Sequence, residues 1–319
     1  MRKVIGIGET ILDIIFKDEQ PTAAVPGGSV FNGIISLGRL GCDVTMITET
    51  GNDRVGQTIK QFMSDNGVNT RHICMYEDGR TAISLAFLNN RNDAEYTFYK
   101  DYPKARLDVE WPQINKDDII MMGSYFVLNP ALHSKVKEFL DYARSQQALI
   151  YYDINFRSSH LDEAAELYST IIENFGYADI VRGSTEDFQY MFGINDPLEA
   201  YNREVAPHCS YMLCTDADGE IRLFTPQGNK EYKVQKIQTV STIGAGDNFN
   251  AGIVFGLLEG GISRDDLSSH PISIEEEAER VWSPIINHGI ALASEVCQSI
   301  HNSISKDFAQ RYIQKLKNN

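Results

Sequence analysis

The sequence predicts an α/β fold: a mostly parallel central sheet flanked by helices, with a small β-sheet beside it. Three observations carry this. Short apolar runs of strand length alternate with longer runs of helical spacing. The alternation breaks at two places only, residues 10–28 and 80–100. The chain has 319 residues, 42% of them hydrophobic and 23% charged, which suffices for one large domain or two small ones. No linker and no repeat divides it, so residues 1–319 are read as a single domain.

Residues 4–8 read as a buried strand, and a helix follows over about 29–40, with Gly41 as its stop. A strand around 44–48 and a helix around 55–66 come next. The run "DIIMMGSYF" (118–126) has strand length, and "ALHSKVKEFLDYARSQ" (131–146) is an amphipathic helix. Then come a strand at 148–155, a helix at 162–175 and a strand at 179–184. "TEDFQYMFG" is a short helix with a glycine stop, and 211–216 is another strand. The run after "STIGAGD" is apolar nearly all round, so its helix, about 246–259, is expected to be buried. Residues 274–298 are helical, with Pro284 as a break or kink. In the interrupted regions, 80–100 reads as a hairpin around the polar turn "NNRND", and 10–28 as strands and turns. The two segments are expected to pair into one small sheet.

Bulk properties exclude several functions. A net charge of −15 counts against a nucleic-acid partner, whose phosphates are neutralised by Lys and Arg. Phosphate-bearing small molecules stay open, because helix N-termini bind them without net positive charge. Five cysteines, without C-x-x-C spacing, argue against a disulfide framework or a zinc site. No apolar run is long enough to span a bilayer. The opening "MRKVIGIGETILDIIF" is interrupted by Glu9 and Asp13 and lacks a small-residue cleavage site. A cytoplasmic protein with no membrane partner is expected.

The stretch "STIGAGDNF" concentrates the chemistry. Gly244, Ala245 and Gly246 stand at the mouth of a helix whose first N–H groups lack intrahelical partners. Without bulky side chains they can form an anion hole, and Asp247 beside them can reach a substrate hydroxyl. A tight turn capped by Asp247 is the structural alternative. "GIGET" lacks a third glycine and a following helix, so a dinucleotide site is not expected. "PGGSVFNG" sets Gly27 and Gly28 before a helix with Asn32 in its first turn. "DINFR" places Asn155 and Arg157 at the carboxyl edge of the sheet, where ligands bind in open α/β folds.

Together these pieces resemble the ribokinase-like (PfkB) carbohydrate kinases. "STIGAGDNF" is similar to that family's D-T-x-G-A-G-D signature, and "GGSVFNGIISLGRLG" to its N-terminal glycine-glycine signature. "GETILD", "YTFYK" and "DINFR" fall in the family order and resemble fructokinase-type members, over residues 4 to about 298. The resemblance implies a ribokinase-like fold whose small sheet, from about 10–28 and 80–104, is a lid that also mediates homodimers in several members. It implies ATP-dependent phosphorylation of a hydroxymethyl group on a fructose-like or related sugar, with Mg²⁺. Asp247 then matches the catalytic base, and Gly244, Ala245 and Gly246 the anion hole for the transferring phosphate. Asp13, Gly28 and Asn32 match residues that grip sugar hydroxyls, and Arg157 and Lys100 basic residues near substrate and phosphate.

The departures lie on the nucleotide side. The family's N-x-x-E appears as "STED", so Ser184 and Asp187 stand there, and Asp187 is one methylene short and expected to meet the metal through water. The preceding Lys is Arg182. The T-x-G-x-x-G turn appears as "CTDADG", with Asp216 where a glycine is expected; Thr215 and Gly219 of this turn match the nucleotide side. Asn287 matches an adenine-pocket position. Ser241 replaces the Asp that helps hold potassium in activated members, which counts against a K⁺ site. Three readings follow: a sugar kinase, a non-catalytic sugar-binding regulator of the same fold, and a nucleoside kinase of the same family.

Overall fold

The computed structural model describes residues 2–88, 94–217, 219–268 and 273–318. The expected turn at 89–93 lies outside the described residues. Strand β1 (Val4–Ile7) leads into β2 (Ile11–Lys17) and β3 (Gln20–Gly27), then helix α1 (Ser29–Arg39). β4 (Val44–Gly51), α2 (Arg54–Asp65), β5 (Val68–Asn69), β6 (Ile73–Tyr76), β7 (Arg80–Leu88) and β8 (Ala94–Asp101) follow. The alternation resumes with β9 (Ile119–Gly123), α3 (His133–Ser145), β10 (Leu149–Asp153), α4 (Ala164–Tyr177), β11 (Ile180–Ser184) and α5 (Thr185–Phe192). The short α6 (Pro197–Ala200) precedes β12 (Met212–Thr215), β13 (Glu220–Thr225) and β14 (Gly228–Lys233). The chain closes with α7 (Ala245–Glu259), α8 (Ile274–Glu277), α9 (Ser283–Cys297) and α10 (Lys306–Lys317).

The central sheet runs β14-β13-β12-β11-β10-β9-β1-β4-β5, with β6 also on β4. It is parallel except for β13 and β14, which add an antiparallel edge. β1, β9 and β10 are buried along their whole length, as continuous apolar runs in a sheet covered on both faces must be. Alternate residues serve the two faces. Ile5, Ile7, Ile120, Met122, Ile150 and Tyr152 pack with α3 and α4. Val4, Ile119, Met121, Leu149 and Tyr151 pack with α1, α7 and α9. β1 lies between β4 and β9, so the strand order turns there. The carboxyl ends at such a switch point open a crevice where ligands bind.

The second sheet runs β3-β2-β7-β8, and β2 and β7 are parallel within it. The two segments that broke the alternation do pair, as the sequence predicts. α7 is buried continuously from Asp247 to Leu257, and it packs on α9 and α1. Pro284 marks a break: a π-helical turn, Ala278–Trp282, ends before it, and Pro284 takes a first-turn position of α9 where no intrahelical bond is lost. β5, β6, the β13–β14 hairpin and α10 are additions to the expected elements.

Candidate active site

Two helix N-termini meet at one carboxylate. α7 begins at Gly244, whose φ of 79° is left-handed and suits glycine. A Cβ there would lie 2.8 Å from the Asn302 carbonyl oxygen. Asn248 braces this turn, donating 2.8 Å bonds to the carbonyls of Gly244 and Asn302. α1 begins at Gly28, where φ is 132° and a Cβ would stand 2.2 Å from the Glu9 carbonyl. Only glycine permits this approach, and it carries Ser29 and Asn32 toward α7. Ser29 Oγ donates to Asp247 Oδ1, and Asn32 Nδ2 to Oδ2, each at 2.8 Å.

Asp247 is 8% exposed and has no ion-pair partner among the described residues. Burial raises its pKa, and the bond from Asn32, the charge of Arg157, the bond from Ser29 and the charge of Arg182 oppose that rise. The result is an oriented carboxylate with a strengthened affinity for a proton, in the first turn of α7, where the Ala245 N–H bonds the Thr242 carbonyl at 3.2 Å.

The second sheet turns one face toward this point. Asp13 pairs in register with Ser84, and Ser84 with Phe98, so their side chains share a face, with Ala86 and Tyr96 next along it. Ser84 Oγ donates to Asp13 Oδ1. Burial pushes the Asp13 carboxyl up to about 6, opposed by Ser84 and reinforced by Glu9 and Asp247. Burial and Asp13 push the Tyr96 phenol up to about 12 against the pull of Arg157. Asp13, Tyr96, Arg157 and Asp247 therefore sense one another across the crevice. Tyr96 and Phe98 stack with centroids 5.8 Å apart. Lys100, on the same face, pairs with Glu9 at 2.7 Å and lies over the Phe98 ring, so its charge is already engaged.

The ends of β10, β11 and β12 complete the site. Arg182 pairs with Asp153 at 3.0 Å and donates from Nη2 to Thr215 Oγ1 at 2.6 Å. The "DINFR" turn wraps over this pair, with Asn155 at φ 41° and Arg157 exposed at its end. Asp187 accepts bonds from Ser184 N, Ser184 Oγ and Phe156 N, at 2.6–2.7 Å. It thereby closes a capping box on α5 and ties down the Phe156 peptide. A cavity of ≈ 270 Å³ lies beside Thr215, lined also by Thr185, Asp196, Asp216 and Arg222. Gly219 has φ 86° at the β12–β13 turn, and Asn287 is exposed on α9. The hydrogen bonds of the cluster reach neither. Among the described residues no group of three His, Cys, Asp or Glu side chains could hold a metal.

Of the residues singled out in the sequence, Asp247, Gly244, Ala245, Gly246, Gly28 and Asn32 come together directly, and Asp13 and Arg157 face them. Ser29, Ser84, Tyr96 and Asp153 are site residues that sequence reasoning missed. Ser29 had a signal in its place directly after the two glycines, and Tyr96 and Asp153 in opening "YTFYK" and "DINFR"; Ser84 had none.

A buried, oriented carboxylate in the first turn of a glycine-framed helix is an arrangement that a phosphotransferase acting on an alcohol can use. The chain belongs to the pfkB family carbohydrate kinases, whose description matches residues 1–267. It is 25% identical over 265 residues to a probable chloroplastic fructokinase-6 of Arabidopsis thaliana, covering 79% of this chain and 69% of that one. It is 25% identical over 280 residues to a 5-dehydro-2-deoxygluconokinase 2 of Bacillus cereus, covering 81% and 83%. Among solved structures, a Vibrio cholerae fructokinase with fructose, ADP and potassium bound superposes with a TM-score of 0.79 at 18% identity, covering 98% of each chain. An aminoimidazole riboside kinase from Salmonella enterica with its riboside and an ATP analogue gives 0.78 at 19%, covering 98% and 99%. No helix is long and apolar enough to cross a membrane among the described residues.

Proposed function

We propose that this sugar kinase transfers the γ-phosphoryl group of ATP to a hydroxymethyl group of a small uncharged sugar, fructose or a close relative. The observation that carries the reading is Asp247, buried, doubly hydrogen-bonded and set in the first turn of α7. Asp247 takes the hydroxyl proton as the hydroxyl oxygen bonds to the γ-phosphorus. The bond from that phosphorus to the bridging oxygen breaks, and ADP leaves with the bridging oxygen. The N–H groups around Gly244, Ala245 and Gly246 hold the transferring phosphoryl oxygens, the Ala245 N–H exchanging its 3.2 Å bond to the Thr242 carbonyl for one to phosphate.

The cradle fits a polyphosphate: a glycine-framed helix start, with a guanidinium against Gly246 and exposed Arg157 near by. Ser184, Thr215, Gly219 and Asn287 are assigned to the nucleotide side. Mg²⁺ bound to ATP would neutralise charge on the phosphate oxygens. Asp187 accepts three bonds, leaving lone pairs for a metal-bound water.

Asp13, the Gly28 backbone and Asn32 hold sugar hydroxyls, and Tyr96 and Phe98 cover the sugar's apolar face. An uncharged substrate is favoured because Glu9 already engages Lys100, and the cations Arg157 and Arg182 are left for phosphate. The second sheet acts as a lid, over about 10–28 and 80–104, that keeps water from the γ-phosphate. Its edge strand β8, with Tyr99 54% exposed, is the surface by which a second copy joins. The stacked Tyr96–Phe98 pair also suits a flat base, which supports a riboside as second substrate class.

The test is a panel of ketoses, aldoses, sugar acids and ribosides with MgATP, read by ADP release. The expected result is fastest turnover with a ketose. Asp247→Asn keeps size and hydrogen bonding but removes the proton acceptor, and it is expected to lose roughly 10²–10⁴-fold in turnover. Its sugar affinity should stay within several-fold of wild type. Tight sugar binding without turnover across the panel supports the regulator reading instead.

A further inference from the structure

Arg182 is an unusual residue to find under a helix start. It sits on β11 at 7% exposure, with its guanidinium reaching beneath the first turn of α7. Were Gly246 to carry a Cβ, that atom would stand 3.3 Å from Nη2 and 3.4 Å from Nη1. The missing side chain thus lets the guanidinium lie against the backbone of the proposed anion hole. Asp153 holds one side at 3.0 Å, and Thr215 Oγ1 receives Nη2 at 2.6 Å. The Phe249 ring lies 6.0 Å away. Arg182 Nε and Asp153 Oδ2 are buried with no hydrogen-bond partner.

This arrangement is costly in isolation. A helix N-terminus already carries partial positive charge, and a buried cation beside it adds like charge. The pair is also incompletely satisfied, and buried groups left that way destabilise a fold. A polyphosphate in the cradle turns the first cost into a gain, while the second stays, because Asp153 Oδ2 needs a donor.

Resting on the kinase reading above, we propose that Arg182 is a positioning residue. Its fixed charge, held by Asp153 and Thr215 behind Gly246, stabilises the negative charge on the transferring phosphoryl group and keeps Asp247 unprotonated. It acts through the first turn of α7 rather than by touching the sugar. Gly246 and Arg182 form one unit in this scheme: the glycine is absent bulk that admits the charge.

Several charged or polar groups face Asp247. They are Ser29 and Asn32 from α1, Arg157 from the turn after β10, Asp153 from β10 and Arg182 from β11. Asp13 of β2 and Tyr96 of β8 face it from the small sheet. Among these only Arg157 and Arg182 are cationic, and Arg157 is exposed whereas Arg182 is not. Arg157 weighs more on Asp247 than Arg182 does, and loss of Arg182 removes the buried one of the two charges.

The test uses the full chain as Arg182→Met, Arg182→Lys and the double variant Asp153→Leu with Arg182→Met. The double variant removes both buried charges together and keeps the core closed should the single Met variant fail to fold. Thermal melts establish folding, and kcat, sugar KM and MgATP KM are followed against pH. Arg182→Met and the double variant should lose about 10²–10³-fold in kcat. Sugar KM should stay nearly unchanged, and the acid limb of kcat/KM should move to higher pH. Arg182→Lys should recover part of the loss and part of the limb. A folded Met or double variant that retains kcat with an unmoved acid limb overturns the inference alone. Absence of wild-type turnover on every substrate overturns the kinase reading and the inference with it.

Discussion

Ser29→Ala isolates one of the two bonds that set the state of Asp247. Ser29 Oγ donates to Asp247 Oδ1 at 2.8 Å, while Asn32 keeps Oδ2. A hydrogen bond to an ionised group contributes about 1.5–3 kcal/mol. This one favours only the charged carboxylate, because it donates to an oxygen that protonation neutralises. A tenfold change in proton affinity corresponds to about 1.4 kcal/mol, so the variant's acid limb should move up by about one pH unit or more. The sign follows from the chemistry. Burial already raises Asp247, the base must be unprotonated to work, and losing Ser29 raises it further. Activity is therefore lost on the acid side and kept on the alkaline plateau. The assay is coupled ADP release, with sugar below KM, across the acid and neutral range. A fall that is equal at every pH, or an unmoved limb in a variant that melts like wild type, refutes the reasoning.

Asp13→Asn should raise thermal stability at neutral pH and weaken sugar binding. Its folded carboxyl is raised to about 6, so its contribution favours the fold below the unfolded value near about 3.9 and is lost as pH rises through the folded one. The melting gain should accordingly vanish in acid, and a gain that grows in acid refutes it. Asp187→Ala removes a capping box and should cost about 1 kcal/mol or more in urea unfolding. Calorimetry should show a larger loss for MgATP than for sugar, and equal losses would leave Asp187 purely structural. Ser241 offers a neutral oxygen that accepts from Ile243 N at 3.2 Å, so rates in potassium and sodium chloride should agree. Strong activation by potassium alone would show another group supplying the cation site.

Much of the site was legible because several signals coincided. At residues 244–247 small residues, a carboxylate and the start of an all-apolar run fall together, and each has a separate physical reason. The second sheet was legible as an interruption of βα alternation. β13 and β14 were not, because β14 reads "GNKEYK" and is exposed along most of its length, leaving no apolar period. β5 has two residues, too few for any period. Arg182 illustrates a different limit. An arginine in a strand reads as surface-facing, and its burial depends on Asp153, 29 residues earlier, and on the space left by Gly246. Ser184 and Asp187 show a pattern with two meanings, since Ser-x-x-Asp spells both a metal-site remnant and a helix cap. The structure displays the cap.

The bracing of Gly244 has a consequence for how the protein is made. Ser29 and Asn32 are synthesised 218 and 215 residues before Asp247. The Gly244 turn leans on Asn302, reached through Asn248 across 54 residues. Ser36 bonds both Asn248 and the Ile304 peptide, closing spans of 212 and 268 residues. Contacts this distant in sequence form late and slowly. A nascent chain on the ribosome therefore carries α1 packed on β1, β4 and β9 but without its α7 contacts until α7 emerges, and that interval is the natural one for chaperone capture. It also lacks the braced Gly244 turn until Asn302 has been joined. A chain cut before Asn302 should fail to brace its phosphate turn even if the sheet has formed.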